Sequence, residues 1–174
     1  MECFIQYHSL NKMEYWPVVS GESSNNWGCI RTKKCMNLIG KRVFLIAGVK
    51  QIQNKTTDYF LWCYVDVAEM FEDNGWIVLR GPNFICKQPI RLNDVVGFDE
   101  LKKGAANFST GLQDRGMFAI SKFITDESHY VPIASIKDPL KWQFDFEEKY
   151  IADEDWRDTK RDKNGKPAWI SVSR

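Results

Sequence analysis

Trp27 heads a run of residues whose types suit the recognition of a nucleobase and its phosphates. Gly28, Cys29, Ile30, Arg31, Thr32, Lys33 and Lys34 follow it directly, and no Asp or Glu occurs from Ser23 to Thr57. That window holds Arg31, Lys33, Lys34, Lys41, Arg42, Lys50 and Lys55. A broad π face stacks a base of any identity, and lysines and arginines neutralise the backbone beside it. The spacing also predicts a short helix after Trp27. Thr32 is its N-cap, Cys35, Met36 and Ile39 share one face, and Gly40 closes it at C′. The N-terminus of such a helix offers free N–H groups to an anion. A tryptophan in the preceding loop then supplies the stacking wall that an extruded base requires. The plainer alternative is a Trp that caps the core beside a solvated basic face.

Two other chemistries are weighed on the same terms. Asp138, Glu147 and Lys149 outline the acidic and basic groups of a metal-dependent nuclease. A divalent ion needs those carboxylates brought together, ideally from adjacent strands. The Glu147-Glu148-Lys149 triplet instead reads as helical and follows no apolar strand. Cys3, Cys29, Cys35, Cys63 and Cys86 include no C-x-x-C pair, and His8 and His129 are far apart in sequence. They read as reduced, mostly buried thiols, a barrel histidine and a loop histidine, with no metal or other cofactor expected. Cys29, near the predicted helix start, is the thiol whose pKa that start would lower.

The elements that must position these residues follow from length and pattern. A chain of 174 residues with 44% hydrophobic and 27% charged residues builds one soluble globular domain with a sizeable core. Its net charge of +1 excludes a uniformly basic coat. The charge is nevertheless uneven: nine acids against five bases lie between Asp138 and Asp162. No apolar run is long enough to span a membrane, and the first residues lack a signal peptide's basic and apolar regions, so a cytoplasmic protein is expected. Strands are predicted at Phe4–His8, Arg42–Gly48, Tyr59–Val67, Trp76–Arg80 and Pro89–Leu92. Asp73-Asn74-Gly75 is the turn that sends Trp76–Arg80 back antiparallel as a hairpin partner of Tyr59–Val67, and Gly81-Pro82-Asn83 breaks that strand. Helical turns are expected in 98–105, 116–124 and 144–151, and Asn164-Gly165 signals a second hairpin.

In order and kind, Trp27–Val49, then Tyr59–Val67, Trp76–Arg80 and the P-I-R-L element, resemble the PUA-like superfamily, specifically its EVE and YTH branches. Ala106–Arg115 stands where YTH domains carry a polar loop against their pocket. The resemblance covers about residues 1–125. It implies an α+β fold: a small curved, partly open β-barrel of five or six strands with short flanking helices. The domain would span residues 1–135, and 136–174 would be a C-terminal extension, a helix plus hairpin, packed on it.

The resemblance further implies a module that holds one flipped, modified nucleobase in an aromatic cage, in DNA or RNA, without chemistry of its own. Carried over by position, Trp27 is one cage wall. The segment Gly28, Cys29, Ile30, Arg31 and Thr32 reads the base edge, and either Trp76 or Phe84 is the second wall. Lys33, Lys34, Lys41 and Arg42 meet phosphates. Some members act in restriction of modified DNA, which implies a partner nuclease. The alternatives are the Asp138/Glu147/Lys149 nuclease and a barrel that binds a nucleotide or metabolite.

Overall fold

A computed structural model describes residues 1–9, 26–50, 56–104, 110–112 and 118–150. In chain order the described strands are β1 (Cys3–Ser9), β2 (Trp27–Thr32), β3 (Arg42–Lys50), β4 (Thr57–Asp66), β5 (Glu69–Asp73), β6 (Trp76–Arg91), β7 (Thr110–Gly111) and β8 (Tyr130–Pro132). The α-helices are α1 (Phe98–Gly104), α2 (Phe118–Ile124) and α3 (Pro139–Tyr150). The strands form one sheet in the order β2–β6–β4–β3–β1–β7, with β5 and β8 also paired to β6. Only β1–β3 is a parallel pair among them. The sheet curls into an open half-barrel with short helices, the small curved α+β barrel that the sequence pattern implies. It has more strands than the five or six expected. Trp27–Thr32 is a strand where loop and helix are expected, β5 carries three charges in five residues, and β7 and β8 are too short to leave a pattern. The predicted Trp76–Arg80 and Pro89–Leu92 strands, by contrast, merge into the one strand β6.

β6 organises the sheet. Trp76–Arg80 forms its hairpin with β5 and not, as the sequence reading expects, with the Tyr59–Val67 strand. The hairpin turns on Asn74 and Gly75, both at positive φ (50° and 74°), the backbone that matches the twist of a two-residue hairpin. The register then sets Asp73 opposite Trp76, Phe71 opposite Val78 and Glu69 opposite Arg80. Gly81-Pro82-Asn83 does not end the strand, contrary to the sequence reading. It is a corner where β6 changes neighbours. Residues 77–82 pair with β2 and residues 76–80 with β5, whereas β4 and β8 pair with positions from Asn83 onward. A Cβ on Gly81 would lie 1.9 Å from the Asp66 carbonyl oxygen, so glycine allows this crossing of β4 and β6.

Apolar side chains bury both faces of the sheet. One cluster gathers Val43, Leu45, Phe60, Trp62, Val65, Leu79 and Ile30, and α3 covers it with Trp142 and Phe146. The Trp62 ring meets those of Trp142 and Phe146 edge-on at 5.2 and 5.1 Å, which accounts for two of the seven tryptophans. The Trp142 Nε1–H donates to the Lys87 carbonyl at 2.9 Å, tying α3 to β6. The other cluster sets Ile5, Phe44, Ile46 and Tyr64 against Phe98 and Leu101 of α1 and Ile120 and Ile124 of α2. Gln6 of β1 and Thr32 of β2 are buried, and the Gln6 Nε2 donates to the Thr32 Oγ1 at 3.1 Å, joining the two ends of the curl.

The predicted helix after Thr32 does not form. Residues 34–38 have no regular structure, and Thr32 ends β2. Tertiary contacts override the helical spacing. Leu38 is fully buried, its N–H donates to the Met70 Sδ at 3.1 Å, and the Gly40 N–H donates to the Val67 carbonyl at 2.8 Å. Met36 and Ile39, placed by the helical reading on one face with Cys35, are exposed. Gly40 does take a left-handed φ of 76°, but as the turn into β3. The sequence readings at 20–25, at 151–174 and across most of Ala106–Arg115 lie outside the described residues.

Gly81→Ala is expected to destabilise the chain by about 3 kcal/mol, the upper range for overpacking, because the obstacle is backbone that cannot swing away. Urea denaturation with an unchanged m-value checks this. A loss under about 0.5 kcal/mol would show that the corner does not depend on the close approach.

Candidate functional site

Three strands, β2, β6 and β5, present one face to solvent. Ile30, Leu79, Met70 and Ile77 point inward to the core, so their sequence neighbours point out. The rows on the other side are Cys29–Arg80–Glu69, Arg31–Val78–Phe71 and Trp76–Asp73, with Trp27 opposite Pro82 at the far end; Val78 at their centre is itself covered, only 3% exposed. Phe71 is 45% exposed and Trp27 and Trp76 are partly exposed.

Cations sit between these rings. The Arg80 guanidinium lies 5.3 Å from the Trp27 ring centre, and the Lys33 Nζ lies 3.7 Å from that of Trp76. Lys33 also donates to the Gly75 carbonyl at 3.3 Å. Arg31 pairs with Asp73 at 3.1 Å and Arg80 with Glu69 at 3.4 Å. All four of these charged side chains are more than a third exposed, so each pair is worth about 1 kcal/mol or less and yields readily to a competing anion.

The residues singled out from sequence divide accordingly. Trp27, Cys29, Arg31, Lys33 and Trp76 share this face or its border. Trp27 stands on a strand and not in a loop before a helix, so the expected helix N-terminus is not part of the site. Six strand positions separate Pro82, opposite Trp27, from Trp76, a distance of about 20 Å. The two rings therefore do not face each other as walls of one cage. Phe84 is committed elsewhere: its ring stacks on Tyr64 with centres 4.8 Å apart and planes 17° apart. Ile30 and Thr32 point into the barrel and are buried. Gly28 leaves room for the buried Asn83 amide, whose Nδ2 would lie 2.0 Å from a Cβ there. Among the described strands β2 pairs with β6 alone and ends the sheet order.

The basic window also divides. The Arg42 Nε and Nη2 donate to both Asp66 carboxylate oxygens at 2.7 and 2.9 Å, and its Nη1 donates to Glu127 at 2.8 Å. Its guanidinium also lies 4.1 Å from the Tyr64 ring centre. The hydrogen bonds that it donates to Asp66 hold the guanidinium still further toward its charged form against the desolvation that opposes it. Burial pushes the Tyr64 hydroxyl up to about 12, with Arg42 pulling the other way. Arg42 therefore fastens β3 to β4 and to the turn at Glu127, with its donors already engaged. Lys41 pairs with Glu2, and Lys34 is exposed beyond the end of β2.

Cys29 departs from the expected lowered pKa. Desolvation of its thiol raises the pKa, and Arg31 and Arg80 offset that only in part. The nuclease group does not converge either. Asp138 caps α3, accepting from the Lys141 N–H at 2.9 Å. Position 147 lies nine residues on, about 13 Å along the axis, too far to share an ion with Asp138. Among the described residues no three His, Cys, Asp or Glu side chains form a metal-binding group.

Phe71 and Arg80 join the face without having been singled out from sequence. The Asn74-Gly75 turn carried the necessary signal, since a two-residue hairpin fixes the register that places both residues beside Val78 and Cys29.

Comparison with known proteins identifies no relative: no protein-family model matches the chain, and no curated protein or solved structure matches it significantly.

Two outcomes follow from this arrangement. Arg42→Ala should cost about 1.5–3 kcal/mol in chemical denaturation, because it leaves Asp66 partly buried without its charged donor, whereas Arg31→Ala and Arg80→Ala should each cost about 1 kcal/mol or less. Alkylation of the native chain should show Cys29 reacting with a pH midpoint above the roughly 8.5 of a free thiol, and the buried Cys63 and Cys86 reacting only on unfolding. Peptide-resolved mass spectrometry reads both, and a Cys29 midpoint below that value would refute the desolvated setting.

Proposed function

We propose that this chain is a nucleic-acid-binding module that holds a nucleobase by stacking on the exposed face of β2, β5 and β6, with Trp27 as its first contact. The observation that carries the reading is the interleaving of Trp27, Phe71 and Trp76 with Arg31, Lys33 and Arg80 on one rigid sheet face. Rings and cations in alternation suit a polymer that alternates apolar bases with phosphates. A base on Trp27 would lie where Arg80 already approaches the ring, and the weak pairs to Glu69 and Asp73 exchange for phosphate contacts at small cost. A modified base falls within this reading as a change in ring shape and polarity at Trp27. The role is recognition, with any cleavage supplied by a partner.

The test is tryptophan-fluorescence titration with short DNA and RNA oligonucleotides, bearing plain or methylated bases. Binding should quench fluorescence, weaken about tenfold between about 50 and about 200 mM salt for two or three phosphate contacts, and fall at least tenfold in Trp27→Ala. A flat response across all oligonucleotides would refute the reading. Magnesium-dependent cleavage insensitive to Trp27→Ala would replace it with a catalytic one.

A further inference from the structure

The spacing of the rings limits what kind of nucleic acid this face can hold, an inference that rests on the binding reading above. Trp27 and Trp76 lie about 20 Å apart along β6. Phe71 occupies the row next to Trp76, and the Arg31 and Arg80 rows come between Trp76 and Trp27. A single base cannot touch both tryptophans. A duplex keeps its base faces inside its own stack and offers none to rings lying along a sheet. A single strand can place one base on each ring and run its backbone between them.

The charges match that path. Arg31, Lys33 and Arg80 lie on or beside the face, against the two carboxylates Glu69 and Asp73. Both carboxylates are already paired with an arginine, in exposed pairs that phosphate displaces. Lys33 lies against Trp76 and at the β5–β6 turn, so a base arriving at that ring moves the ammonium toward the backbone of the same strand.

We propose that the β2–β6–β5 face is a two-station track for single-stranded nucleic acid, one base stacking at Trp27 and another at Trp76, with Arg31 and Arg80 taking the phosphates between. The track accommodates about four nucleotides, the lower end of single-strand sites on small β folds.

The experiment measures fluorescence anisotropy of labelled oligodeoxythymidines and oligouridines of two to eight nucleotides, with a twenty-base-pair duplex alongside. Affinity should rise steeply to about four nucleotides and then level off, with the duplex at least tenfold weaker. Trp76→Ala and Trp27→Ala should each weaken binding of the longer strands roughly tenfold. Trp76→Phe should restore most of that loss, which separates stacking from any effect of Trp76→Ala on folding. The deoxy and ribo series separate DNA from RNA as the source of the strand. Dinucleotides that bind as tightly as octamers, with Trp76→Ala without effect, would overturn the track and leave a single station at Trp27. Duplex binding equal to that of the strands would overturn it also. Absence of binding in every series would remove the binding reading itself.

Discussion

The approach of the Asp66 carbonyl to Gly81 is the contact on which the rest of the architecture turns. With no side chain at 81, β4 and β6 cross closely enough for β6 to bend and exchange neighbours within a single strand. Its first half then takes β2 on one side and β5 on the other, and its second half takes β8 and β4. One long strand thereby serves two environments. Past the corner both faces of the sheet are buried under helices. Before it, the inner face is buried, while the outer one keeps Cys29, Arg31, Phe71 and Arg80 exposed around a covered Val78. The corner thus leads to a partly exposed sheet face backed by a buried one.

Burial also decides what each arginine does. Arg42, Arg31 and Arg80 are chemically identical, and two of them fall in the same acid-free window of sequence. Arg42 is enclosed by Tyr64, Asp66 and Glu127, and three of its five N–H donors bond to those two carboxylates. Arg31 and Arg80 are paired too, but with exposed carboxylates across a sheet surface, where water competes on nearly equal terms. The same division runs through the aromatics. Trp62 and Trp142 hold α3 against the barrel, and Phe84 is stacked on Tyr64, whereas Trp27, Phe71 and Trp76 retain exposed surface. A basic, aromatic-rich sequence therefore yields two populations, one enclosed by the fold and one that keeps exposed surface.

The errors of the sequence reading have a common cause. Cys35, Met36, Ile39 and Gly40 carry helical spacing, yet a segment that short gains little from helix formation alone. Burial of Leu38 and its hydrogen bond to Met70, contributed by a strand some thirty residues away, outweigh it. Gly81-Pro82 has the local chemistry of a break, and its role as a corner appears only when the Asp66 carbonyl occupies the space that glycine leaves. Asp138 and Glu147 look like partners in sequence until the helix between them sets their separation. Phe71 escaped notice because Glu69–Asp73 is too charged to read as a strand without its hairpin partner.

The amino-acid sequence by itself determined what depends on neighbours in the chain. The Asn74-Gly75 hairpin turn, the doubly buried apolar run of β3, the aromatic β4 and the three helices are all local in this sense, because periodicity and turn chemistry act over a few residues. It also determined the supply of rings and cations around Trp27. Only the tertiary structure decided which of them meet. Trp27 and Trp76 share a face but not a cage, Phe84 and Arg42 belong to the fold, and Phe71 and Arg80 join the site. The physical reason is that strand register and the bend of β6 join residues tens of positions apart, and a face is open or buried according to which other elements reach it.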